Sequence, residues 1–247
     1  MNDFLADISA KIQCHPIIEQ NAYCEWFSKG NIPLDELRRF TVQFSVFSHL
    51  FLEAQLRKCI NAPDLASYRA AKEILLNELG VSYTPAGTVE NGVFAFRAGH
   101  FEWLVEFGHA IGLEFEHLGK HYFATPTTIS FCETLTEIYG SSDASTAAGA
   151  SYAIEHWAAA GFWKQILSGL RHVRRSRIPK LPLGFWTWHD QIEDQHAAHT
   201  DDTLARQIVS PGFAAERFTA AGVTVLDAVQ LFWDGLNEDR EALQACG

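Results

Sequence analysis

Through Leu34–Cys59 (LDELRRFTVQFSVFSHLFLEAQLRKC) apolar residues recur at steps of three and four. A helix turns that period into one buried stripe, whereas a strand would scatter it over both faces. The same pattern fills Leu65–Leu79, which stops at Gly80, and His100–Ile111, which Gly112 closes. It returns in Thr127–Tyr139 after Pro126, and in the Ala-rich Ala144–Leu170, which reads as one long helix. Phe185–Ile208 follows the Pro-rich connection IPKLPLG, and Phe213–Cys246 supplies one or two helices with Val225, Val229, Phe232 and Leu236 on one face. Val81–Gly99, with Gly, Pro, Thr and Asn in succession, reads as a long loop. Alternating patterns of strand length, internal repeats and low-complexity tracts are absent from the sequence. The expectation is an all-α, single-domain bundle of about seven helices spanning residues 1–247.

With 247 residues, 47% of them hydrophobic, the chain can bury a substantial core. A net charge of −11 argues against a nucleic-acid footprint. The short basic run Arg171–Arg177 reads as a helix C-terminus, where cations complement the dipole. Five scattered cysteines without a CxxC fit free thiols in a reducing compartment. The opening MNDFLADISAKIQ lacks the apolar run of a signal peptide, and no stretch approaches the roughly 18 apolar residues of a membrane span. A cytoplasmic protein with no membrane or nucleic-acid partner is expected.

The segment FWTWHDQIEDQHAAH places His189, Glu193 and His196 at i, i+4 and i+7. On a helix these fall at about 0°, 40° and −20°, one narrow stripe, among aromatics that point it inward. Two imidazoles around a carboxylate suit a redox-active first-row metal, and an unpaired inward charge would be costly. Glu155, in AGASYAIEHWAAAGFW, lies among small and aromatic residues where a buried carboxylate needs a cation. Glu78 ends a helix at LLNELG, an ordinary surface position, and His100 opens one at AGHFEWL, where a cap or core histidine is equally common. A competing arrangement pairs Glu114-x2-His117 with Glu193-x2-His196, each with a glutamate upstream (Glu78 and Glu155). That is the ligand pattern of ferritin-like di-iron bundles. Gly112 interrupts the helical pattern just before Glu114, which counts against it.

As an ordered set these motifs resemble the haem-oxygenase-like di-iron oxidases and oxygenases, relatives of thiaminase-II-like and pyrroloquinoline-quinone-synthesis proteins. The family's last ligand helix reads His-x3-Asp-x2-His, matched by His189, Glu193 and His196 with Glu in place of Asp. Its central helix carries a Glu in a small-residue context, matched by Glu155, and its earlier Glu and His are matched by Glu78 and His100. The match covers roughly residues 25–210. Glu78 and His100 are further apart than in the family, so either the Tyr83–Gly99 loop is an insertion or Glu90 or Glu53 takes the place of Glu78.

The resemblance implies a haem-oxygenase-like helical domain whose metal ligands are Glu78, His100, Glu155, His189, Glu193 and His196. They would hold two irons per chain, or manganese and iron, with O2 as co-substrate. It implies an oxidoreductase acting on a small amino-acid-like or fatty-acid substrate. Lys164 and Arg171 are candidates to meet a substrate carboxylate. The cysteines show no thiaminase-type nucleophile arrangement. A metal-free bundle that binds a small molecule or a protein remains the alternative, supported by the Asp-to-Glu change and the Glu78 spacing. A homodimer through the Val225–Leu236 face is a further expectation.

Overall fold

The computed structural model describes residues 2–191, 204–205, 208–209 and 212–245. The N-terminal quarter is made of short helices, α1 (Asn2–Ile8), a π-helical turn at Ser9–Gln13, α2 (Pro16–Glu19) and α3 (Ala22–Ser28). The bundle proper begins with α4 (Leu34–Ile60), followed by α5 (Leu65–Glu78) and α6 (His100–Ala110). Two 3-10 turns lead to α7 (Pro126–Tyr139), α8 (Ala144–Ala159) and α9 (Phe162–Ser176). α10 is described over residues 184–191, and α11 (Ala215–Ala245) closes the chain. α4 to α9 and α11 run for eleven residues or more, while the expectation of about seven helices joined α8 to α9 and did not include the short α1, α2 and α3. The domain is all-α, and no strand occurs among the described residues.

Local chemistry sets the boundaries. Asp64 and Asp143 cap α5 and α8 by accepting hydrogen bonds from the amides of Ser67 (2.8 Å) and Thr146 (2.9 Å). Thr125 does the same for α7, whose first residue is Pro126. One expectation needs correction, since Ala144–Leu170 is two helices rather than one. Gly161 takes φ +95°, a conformation that ends α8 and redirects α9. Within the segment expected to hold one or two helices, α11 is a single helix over Ala215–Ala245.

α4 is the spine and packs against α5 and α7, while α11 packs against α7 and α8. Phe40, Phe44 and Phe47 of α4 meet Trp186 of α10, Phe131 of α7 and Phe232 of α11 in one aromatic core. α8 and α11 approach closely because residue 149 is glycine, where a Cβ would collide with the Phe218 carbonyl. Val225, Val229, Phe232 and Leu236 are buried within this core. The face considered for a partner copy is therefore already covered by the chain's own helices, and a dimer would use a different surface. No described helix is long and apolar enough to cross a membrane.

Candidate metal centre

α5 ends at Glu78, and the chain then makes a long excursion before α6 begins at His100. That excursion is tied back on itself. Ser82 N–H donates to the Val93 carbonyl and Ala95 N–H to the Gly80 carbonyl, both at 3.0 Å, and Val81 bridges Phe94. The wide spacing is thus a flap inserted between neighbours: His100 Nδ1 returns to 3.0 Å from Glu78 Oε2. Glu102 fixes the start of α6 by accepting from the Gly99 amide at 2.9 Å. The fallback glutamates lie elsewhere, Glu90 exposed on the flap and Glu53 exposed and paired with Arg57 at 2.8 Å.

His189 arrives from α10. Its Nδ1–H donates to the Phe185 carbonyl at 2.8 Å, one turn back, which selects the tautomer whose Nε2 carries the lone pair. The ring stacks on Trp163 at 4.4 Å and 18°. One ligand atom from each of Glu78, His100 and His189 lies within 4.8 Å of the others. His100 is 1% exposed, and its Nδ1 makes no hydrogen bond of acceptable geometry, even to Glu78. Two Lewis bases this close, His100 buried and Glu78 half-buried, and not sharing a well-aligned proton, suit a common cation better than each other. Two imidazoles and a carboxylate are also the donor set that non-haem iron accepts with positions left open.

Glu155 of α8 is buried and lines a cavity of about 70 Å³ together with Glu78 and His189. The remaining wall is aromatic or aliphatic, with Phe44, Phe47, Phe51, Trp157, Trp163, Phe185 and Trp188 prominent, and Ser48 the other polar residue. Glu155 is expected as a metal ligand, and the structure also places a lysine, Lys58, within reach of its charge, a residue that sequence reading passed over. Its ammonium is enclosed, donates to Ser151 Oγ at 2.7 Å and sits 4.1 Å above the Tyr139 ring. Burial lowers its pKa to about 8, against the pull of the Glu155 charge. In the sequence Lys58 is an unremarkable cation in the last turn of a helix. Lys164 and Arg171, the cations considered for substrate, are exposed on α9.

Glu193 and His196 lie outside the described residues. The competing Glu114 and His117 do not join the cluster. His117 Nδ1 accepts from the Glu114 amide at 3.0 Å and caps a 3-10 turn, with Glu114 exposed. Cys24, Cys59 and Cys132 are buried and their thiol pKa values are raised by that burial, Cys132 to about 12, so none is an activated nucleophile.

The architecture is the haem-oxygenase-like fold. A domain of unknown function with that fold from Shewanella denitrificans OS217 aligns with a TM-score of 0.65 at 14% identity, over 98% of this chain and 96% of that one. A TenA homolog from Pseudomonas syringae pv. tomato DC3000 aligns with a TM-score of 0.67 at 13% identity, over 96% and 92%. A CADD-like protein of unknown function from Nostoc punctiforme PCC 73102 gives 0.65 at 15%, over 96% and 94%. No family model and no curated protein matches the sequence. At these identities the likeness defines the fold, and function has to be argued from the site.

Proposed function

We propose that the chain is a non-haem iron oxidase or oxygenase that uses O2 on a small, largely apolar substrate such as an amino acid or fatty acid. The observation that carries this reading is the convergence of Glu78, His100 and His189, with the buried His100 Nδ1 left without a hydrogen bond. These three residues hold one ion. Glu155 supplies a carboxylate toward a second, with Glu193 and His196 as the remaining ligands. Bound iron supplies the one-electron steps that O2 chemistry requires.

The chain's own contribution is positional. The Phe185 carbonyl holds the His189 ring so that Nε2 faces the centre, and the capped first turn of α6 fixes His100. The aromatic wall excludes water and receives an apolar group, and Trp188 packs over His100 at 4.3 Å. Among the described residues no lysine or arginine lines the cavity, so a substrate's apolar portion enters it while a carboxylate would be met by the metal or at the rim.

The test is anaerobic Fe(II) loading, desalting, metal analysis and an absorbance scan on mixing with O2. About two irons per chain and a transient visible band are expected. His100→Ala should lose iron, whereas His117→Ala should keep it. A wild-type chain that retains no iron refutes the proposal and leaves a metal-free bundle.

A further inference from the structure

The two sides of the candidate centre differ in how their charge is met. Glu78, His100 and His189 converge where the buried His100 Nδ1 carries no hydrogen bond, and among the described residues no lysine or arginine lines the cavity. A dication arriving there gains lone pairs and displaces no ammonium. Glu155 stands differently, because among charged groups it exerts the largest pull on the ammonium of Lys58.

Three helices fix that ammonium. Lys58 lies in the last turn of α4 and donates to Ser151 Oγ of α8 at 2.7 Å. Ser151 precedes Glu155 by four residues, so the two side chains leave the same face of α8. The ammonium also sits 4.1 Å from the ring centroid of Tyr139, the last residue of α7. Tyr139 is held in turn by Gln55, one turn before Lys58 on α4, which donates to its hydroxyl at 2.9 Å. Gln55 and Tyr139 are both buried. Phe51, which lines the cavity, packs on the Tyr139 ring with centroids 5.6 Å apart. A pinned positive charge therefore stands behind the part of the cavity wall that carries Glu155.

The helix dipole does not explain this confinement. A solvated lysine complements a helix C-terminus equally well and keeps its rotamer freedom. Burial opposes the charge on Lys58, and Glu155 supports it. In the metal-free chain the ammonium compensates a buried carboxylate that would be costly alone. The same charge repels a dication. At an effective dielectric of about 20, a single and a double positive charge roughly 10 Å apart repel by more than a tenfold step in affinity.

We propose that Lys58 is a positioning residue that grades the metal centre, holding Glu155 so that a second ion binds after the first and more weakly. The first ion takes Glu78, His100 and His189. The second enters on the Glu155 side, when that carboxylate exchanges the ammonium for the metal. The centre then fills completely only where ferrous ion is plentiful. The proposal rests on the metal-centre reading.

The test is equilibrium dialysis of the full chain against anaerobic Fe(II) at pH 7, with bound iron measured across a range of free ion. It yields stepwise constants without reference to turnover. The wild type should bind one ion tightly and a second at least tenfold more weakly. Two ions repel each other in any paired site, so the variants decide. Lys58→Met and Lys58→Gln both remove the charge, and the second keeps a donor for Ser151. Each should tighten the second ion at least tenfold and move the first by no more than threefold. Lys58→Arg keeps the charge and should keep the wild-type second constant. Glu155→Gln should lose the weak ion alone. A wild type that holds a single ion, with a second gained in Lys58→Met, is the limiting form of the proposal. A second constant unchanged in both charge-free variants, or tightened equally by Lys58→Arg, overturns it, as do two equal constants in the wild type. If the charge-free variants fail to fold, adding Glu155→Gln must restore them by removing the stranded carboxylate. Failure to restore them makes Lys58 a packing residue and also overturns the proposal. A wild-type chain that binds no iron refutes the metal centre itself, and this proposal with it.

Discussion

If His100 is present to bind a metal, it should weaken the metal-free protein. Its ring is 1% exposed, and its Nδ1 lies 3.0 Å from Glu78 Oε2 without a hydrogen bond. A buried polar atom in that condition costs about 1–3 kcal/mol. Leucine fills nearly the same volume and brings no polar atom. Glu78, 14% exposed in its side chain, can turn to solvent when the imidazole is gone. Metal-free His100→Leu should therefore gain about 1 kcal/mol or more, a rise in Tm of roughly 2–4 °C for each kcal/mol in a chain of this size. Fe(II) at about a hundred times its Kd should stabilise the wild type by about 2.7 kcal/mol and leave the variant unmoved. The two proteins should then exchange rank between chelator and iron. Thermal melts of both, with chelator and with anaerobic Fe(II), measure this. A His100→Leu chain that is less stable by about 2 kcal/mol in chelator would refute the reasoning. It would make Glu78 and His100 a stabilising ion pair whose rupture strands a buried charge.

Three further outcomes follow from the packing. Trp188→Ala should release iron about 10–100-fold faster in a chelator competition, because that ring packs on His100 and His189 and stacks on Tyr83 of the flap. Gly149→Ala should lower stability by about 3 kcal/mol in urea unfolding, since a methyl there meets the Phe218 backbone rather than a yielding side chain; a neutral result would mean that α8 and α11 separate easily. Iodoacetamide at pH 8 should label Cys14 and spare Cys132. A thiol whose pKa is raised to about 12 is almost wholly protonated at that pH, with a thiolate fraction of about 10⁻⁴, and labelling should climb only as the pH approaches 12. Peptide mapping that finds both labelled at the same rate would contradict the burial.

The parts of this fold that a sequence exposes are those set by local period and punctuation. α4, α5, α6 and α7 end within a residue or two of where apolar spacing, Pro126, Gly80 and Gly112 indicate. The α8–α9 break was hidden for a local reason as well. Helical periodicity continues through Gly161, and only the backbone dihedral reveals that this glycine redirects the chain. The site divides along a different line. His189 declares itself, because aromatic neighbours show that its face points inward. Glu78 and His100 do not, because each has an ordinary role at a helix end, and the flap between them conceals their adjacency. Lys58 is the least legible of all. Nothing in its own segment distinguishes it from any last-turn cation, and its meaning comes from Ser151, Tyr139 and Glu155, which reach it from other helices. A buried carboxylate can be read from its neighbours in sequence, but the charge that answers it is fixed by packing. The same distinction explains α9, where the alternation of buried aromatics and exposed cations is written in the sequence. That the inner face of this helix meets the candidate ligand His189 emerges only when Trp163 is seen stacked on that ring.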